Sequence, residues 1–79
     1  MPWFFFDFAD EGYTLVDDVG VHLDGLAQVR NDARLTLRDA VADAMQRRAV
    51  GTITLVVRDH QGKAIVRAAA DWMVSTNEQ

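Results

Sequence analysis

The chain holds little material for covalent chemistry. It has no cysteine, and Thr14, Thr36, Thr52, Thr54, Ser75 and Thr76 lie in no G-x-S-x-G turn that would activate a nucleophile. No glycine-rich phosphate loop precedes a helix. His22 and His60 stand far apart without H-x-x-x-H spacing, so a metal site would need both to converge with carboxylates. In a loop and a turn they read as solvated side chains. Asp7, Asp10, Glu11, Asp17 and Asp18 gather around one turn, and oxygen ligands in that number suit a hard cation. The calcium-loop pattern D-x-[DN]-x-[DN]-G is absent, however, and Asp10-Glu11-Gly12 has ordinary turn chemistry. These acids read as solvated turn residues that keep a sheet edge soluble. The expectation is a protein with no catalytic residue, no cofactor and no metal, and not an enzyme.

Arg30, Arg34 and Arg38 recur at i, i+4 and i+8, a row of like charges that weakens a helix by a few tenths of a kcal/mol per pair, roughly. That cost suggests an acidic partner or phosphate groups. A solvated flank whose aliphatic stems cover the core edge is the simpler account, because Asp32, Asp39 and Asp43 lie on the other flank. Charge is polarised along the chain: residues 1–24 contain Asp and Glu but no Lys or Arg, and the net charge is −4. General affinity for nucleic acid or an anionic membrane demands a dense positive field, so both are disfavoured as partners.

These side chains must be positioned by one small domain, expected over residues 1–74, with a frayed polar tail at 75–79. At 79 residues and without disulfides, stability is marginal and self-association would help it. The longest apolar runs are too short to span a bilayer. The opening MPWFFFDF lacks a basic n-region, so no secretory signal is expected and the chain reads as cytoplasmic.

The organising element is a long amphipathic helix from Asp24, a good N-cap, to Gly51, read as its left-handed stop. Leu26, Val29, Ala33, Leu37, Ala40, Val41 and Ala44 fall within about 60° of one line on it. Before it, Trp3 to Phe8 and Tyr13 to Val16 alternate as a hairpin, and Val21-His22-Leu23 is an extended link. After it, Thr52 to Arg58 and Lys63 to about Val74 form a second hairpin around Asp59-His60-Gln61-Gly62. The expected fold is α+β: a two-layer β-β-α-β-β unit, with a four-stranded, mainly antiparallel sheet and one long helix on one face. The favoured strand order is second, first, third, fourth; second, first, fourth, third is the alternative. Phe4, Phe6, Phe8, Leu15, Leu26, Val29, Ala33, Leu37, Val41, Ile53, Leu55, Val57, Val66 and Trp72 are the expected core.

In MPWFFFDF, DDVG and LVVRDHQG the chain resembles a family of short bacterial proteins, domain of unknown function 6894. The shared pattern is an MP-x-aromatic-FFD-type opening, a DD-x-G turn and a V-x-V-R-D-x-x-G-type hairpin, and it spans nearly the whole chain. Trp3 departs from it where a basic residue is expected, and His60 where an acid is usual. The resemblance implies the fold and a bacterial setting, and carries over no catalytic residue.

One helix covers one sheet face, and Trp3, Phe5, Val56, Ile65, Ala69 and Met73 alternate onto the other, beside Arg67 and Asp71. This open face is the expected interface, for a second copy in a homodimer ahead of a different protein. The alternative is a small regulatory or antitoxin-like protein that touches an acidic or nucleic-acid partner through Arg30, Arg34 and Arg38.

Overall fold

The computed structural model describes residues 2–77. Its elements run β1 (Trp3–Asp10), β2 (Tyr13–Leu15), β3 (Val21–His22), α1 (Leu26–Met45), β4 (Val50–Asp59) and β5 (Ala64–Met73). The fold is α+β, with α1 lying on an antiparallel sheet in the order β2-β1-β4-β5, the favoured order, and β3 added beside β1. Phe8 pairs with Leu15 and Phe4 with Val21, while β4 takes the other side of β1 along its length. Thus β2 and β3 are two short pieces of one interrupted edge. The link Val21–His22, expected as bare connection, is a strand because Trp3 and Phe4 offer it a ladder.

Both ends of the helix differ from expectation. Gly25 precedes α1 in extended backbone and no side chain caps it. Asp24 instead donates its backbone N–H to Gln28 Oε1 at 2.6 Å. At the other end the helix stops at Met45, and the Arg47 and Arg48 amides fold back onto the Ala44 carbonyl. Gly51 is no helix stop. It lies inside β4, where a Cβ would stand 2.5 Å from Cζ2 of Trp72, so the missing side chain makes room for an indole.

The core has two buried clusters: Phe4, Leu23, Val29, Ala33, Leu55 and Val57, then Ala44, Ile53 and Trp72. Phe8 and Leu37, half-buried, pack against both. Leu15 and Leu26, expected inside, are 59% and 45% exposed. The reason is placement: α1 packs chiefly on β4 and β5 and leaves an open cleft beside Leu15 of β2, and Leu23 is buried just ahead of the exposed first helical turn.

One irregularity resets a face. Val57 lies opposite Val66 but Arg58 lies opposite Ala64, so Ile65 is the extra residue of a β-bulge. Ile65 therefore packs against the core cluster and leaves the open face where strict alternation places it.

Candidate functional site

Of the acids around the first hairpin, Asp7 and Asp17 are engaged on the open face rather than solvated, while Glu11 and Asp18 are exposed. Asp7, opposite Val56, and Arg58, opposite Phe5, project from β1 and β4 on one face as a diagonal pair, two residues apart in the register. Arg58 Nε donates to Asp7 Oδ2 at 2.5 Å and its Nη2 to Asp7 Oδ1 at 3.1 Å, a two-point pairing of guanidinium and carboxylate. Nη2 also donates to the Asp17 carbonyl at 3.0 Å. The Asp17 amide donates to Asp7 Oδ1 at 2.9 Å, and the Asp17 carboxylate accepts from Val19, Gly20 and Phe6. Gly20, at φ 78, leaves room for the Phe5 ring, which a Cβ there would meet at 2.7 Å, and Arg58 stands 5.1 Å from that ring's centre.

The electrostatics follow the bonds. The Arg58 guanidinium holds the Asp7 carboxyl below its usual range against the opposing effect of burial. Burial pushes the Asp17 carboxyl up, but the N–H groups of Gly20, Phe6 and Val19 outweigh it, and its pKa is lowered. Both acids are thus held ionised as acceptors, and Arg58 is held as a donor. Such groups lock a loop to a sheet; they are poorly placed to move protons.

The expected interface residues are divided by this lock. Trp3, 42% exposed, sits against His22 with ring centres 3.7 Å apart. Phe5 is half-buried between Gly20 and Arg58, and Val56 is half-buried. Across the sheet, Arg67, Ala69 and Met73 are exposed. With Asp7 and Arg58 between the groups and Ile65 turned to the core, the open face is not one continuous apolar patch. On the opposite face, Arg34 and Arg38 line a shallow groove with Leu37, Val41 and Ala70, which places the arginine row on the flank towards β5. Arg38 meets Asp39 at 3.4 Å, while among the described residues Arg30, Arg34 and Arg67 have no ion-pair partner.

The edge of β5 is the exposed feature that alternation alone does not reveal. The Val74 N–H donates to the Ala49 carbonyl at 2.6 Å, and Val50 pairs with Met73. Antiparallel pairing alternates, so Trp72, Ala70 and Ala68 turn their backbone groups to β4, whereas Met73, Asp71, Ala69 and Arg67 turn theirs outward. Among the described residues no strand lies beyond β5.

Two lesser features complete the surface. Arg48 bonds Asp10 at 2.7 Å and stands 5.2 Å from the Trp72 ring centre, whose Nε1 donates to the Arg48 carbonyl, so this cluster seals the second core. A cleft of about 170 Å³ between Phe8, Leu15, Ile53, Asp43 and Arg47 is smaller than an ordinary cofactor site. Among the described residues no three His, Cys, Asp or Glu are grouped to hold a metal ion, and no helix is long and apolar enough to cross a membrane.

Fold and site together define a small α+β protein whose acid–arginine lock ties a loop to the sheet. The chain belongs to the family described as Domain of unknown function (DUF6894), whose model matches residues 3–71. No curated protein and no solved structure matches it. The three stretches that carry the resemblance, MPWFFFDF, DDVG and LVVRDHQG, supply Asp7, then Asp17 and Gly20, then Arg58, Asp59 and Gly62. Four of these, Asp7, Asp17, Gly20 and Arg58, meet in the lock, while Asp59 accepts from the Gln61 and Lys63 amides to close the second hairpin. Sequence reasoning missed the lock by treating each acid as a turn residue. The signal was there in the spacing, since Asp7 and Arg58 both alternate onto the open face.

Proposed function

We propose that the protein is a non-enzymatic association module that works by accepting a further β-strand at its β5 edge. The observation that carries the reading is the outward row of backbone groups at Arg67, Ala69, Asp71 and Met73. An edge of this length is a template for another strand, and natural edges that are not used carry prolines, central bulges or inward charges to prevent pairing. Here the run from Val66 to Met73 is regular, with the bulge displaced to one end. Beside it the Leu37–Val41–Ala70 groove offers apolar side-chain contacts to whatever strand is added. A non-enzymatic role agrees with Asp7, Asp17 and Arg58 being committed to structural hydrogen bonds.

A second reading is favoured by one observation: among the described residues Arg30 and Arg34 have no ion-pair partner, and Arg34 lies on the flank facing this edge. In it the module is a small regulatory or antitoxin-like protein whose added strand is acidic, or which touches nucleic acid there.

Amide hydrogen exchange tests the edge. Isotope-labelled protein is compared at low concentration, at high concentration, and in an extract of its own cells. The outward amides of Arg67, Ala69 and Asp71 should become as slow as the inward amides of Ala68 and Ala70 in at least one condition. Fast exchange of the outward set in all three would overturn the reading.

A further inference from the structure

We infer that the strand added to β5 is β5 of a second copy, antiparallel and centred on Ala69. This rests on the edge reading above. A two-fold axis at the edge pairs each outward residue with another outward residue, and several registers satisfy the backbone. The side chains choose among them. Centring on Arg67 would set two arginines opposite one another, and centring on Asp71 two aspartates. Centring on Ala69 sets Arg67 of each copy opposite Asp71 of the other, twice, on the open face. Arg67 has no ion-pair partner among the described residues, and Asp71 has one oxygen engaged by the Thr52 hydroxyl at 2.8 Å, leaving the other to accept. The centre is Ala68-Ala69-Ala70, small enough for close approach of the two backbones.

The same axis brings the two helices onto one face of the joined sheet. Their Leu37–Val41 grooves then adjoin across the paired Ala68 and Ala70 residues, and the Arg34 and Arg38 flanks confront each other. These guanidiniums are exposed, so their heads turn to water and salt screens them, but their effect on pairing is repulsive. An acidic partner strand would reverse that sign, and this separates the two occupants.

Sedimentation equilibrium on the intact chain reads the association constant. Arg67→Asp should weaken self-association by about tenfold or more, and the double exchange Arg67→Asp with Asp71→Arg should restore it. Arg38→Gln should tighten it. The chain is free of cysteine, so Ala69→Cys gives a direct register test: its two thiols would face each other at about 5.5 Å between Cα atoms and should oxidise to a linked dimer. Arg67→Cys alone should not link, but mixed with Asp71→Cys it should give the crossed pair. A monomeric wild type up to high micromolar concentration overturns the inference, as does failure of the double exchange to restore association. Should the outward amides then be protected only in cell extract, the edge reading stands and the occupant is another protein. Protection in no condition removes both.

Discussion

The Asp17 carboxylate accepts the backbone N–H of Phe6 at 3.1 Å, in the gap where neither β2 nor β3 runs beside β1. A side chain thus stands in for one rung of the interrupted edge, while its other oxygen gathers the Val19 and Gly20 amides. Asp17→Ala leaves those three donors without this acceptor and should cost about 1–3 kcal/mol. Urea unfolding measures it; an unchanged midpoint would mean that water replaces the carboxylate freely.

Acid should loosen the same loop. Asp7 is held below the usual carboxylate range by Arg58, and Asp17 is lowered by its three amide donors against its burial. Groups with folded pKa values below their unfolded values, about 3.9, stabilise the fold above that pH. Their contribution is lost as pH falls through the folded values. Stability should therefore hold from neutrality to about pH 5 and decline below about pH 4. Asp17→Asn should flatten part of that decline in thermal melts across the range.

Gly12 and Gly20 both have positive φ, 97 and 78, yet alanine should be tolerated differently at the two. At Gly12 nothing lies within 4 Å of a built Cβ, so Gly12→Ala meets only the backbone cost of about 1–2 kcal/mol. At Gly20 the Cβ would stand 2.7 Å from the Phe5 ring, adding about 1–3 kcal/mol of overpacking. Paired chemical denaturation should rank Gly20→Ala well below Gly12→Ala, and equal losses would show that the ring moves aside cheaply.

Much of this fold was legible in the sequence because two periods were clean. Val29, Ala33 and Ala44 at helical spacing and Ile53, Leu55 and Val57 at strand spacing are buried as patterning requires. The strand order followed from antiparallel neighbours and a right-handed crossover. What alternation could not show was a break in itself: the extra Ile65 moves one side chain to the core. Nor could local reading tell that Gly51 answers to Trp72, twenty-one positions away, rather than to the helix before it. The lock was hidden for the same reason. Asp7, Asp17 and Arg58 each look like surface charges until β1 and β4 are paired, and only then do their spacings become one site. The free edge of β5 is a property of the finished sheet, and no residue announces it.

Substitution at Phe5 should report on the lock rather than on association. Its ring is half-buried, touches the place of the absent Gly20 side chain and carries Arg58 over one region at 5.1 Å. Phe5→Glu would remove that packing and set a third carboxylate beside Asp7 and Asp17, both ionised, with only Arg58 to balance them. Met73, 76% exposed on the same sheet face, has no such surroundings. Phe5→Glu should therefore destabilise the folded chain by about 2–4 kcal/mol, and Met73→Glu by less than about 0.5 kcal/mol. Differential scanning calorimetry at neutral pH and in dilute solution compares them. Equal melting temperatures for Phe5→Glu and wild type would mean that the Phe5 ring contributes no packing to the sheet and is available, as exposed alternation suggests, for contact with another molecule.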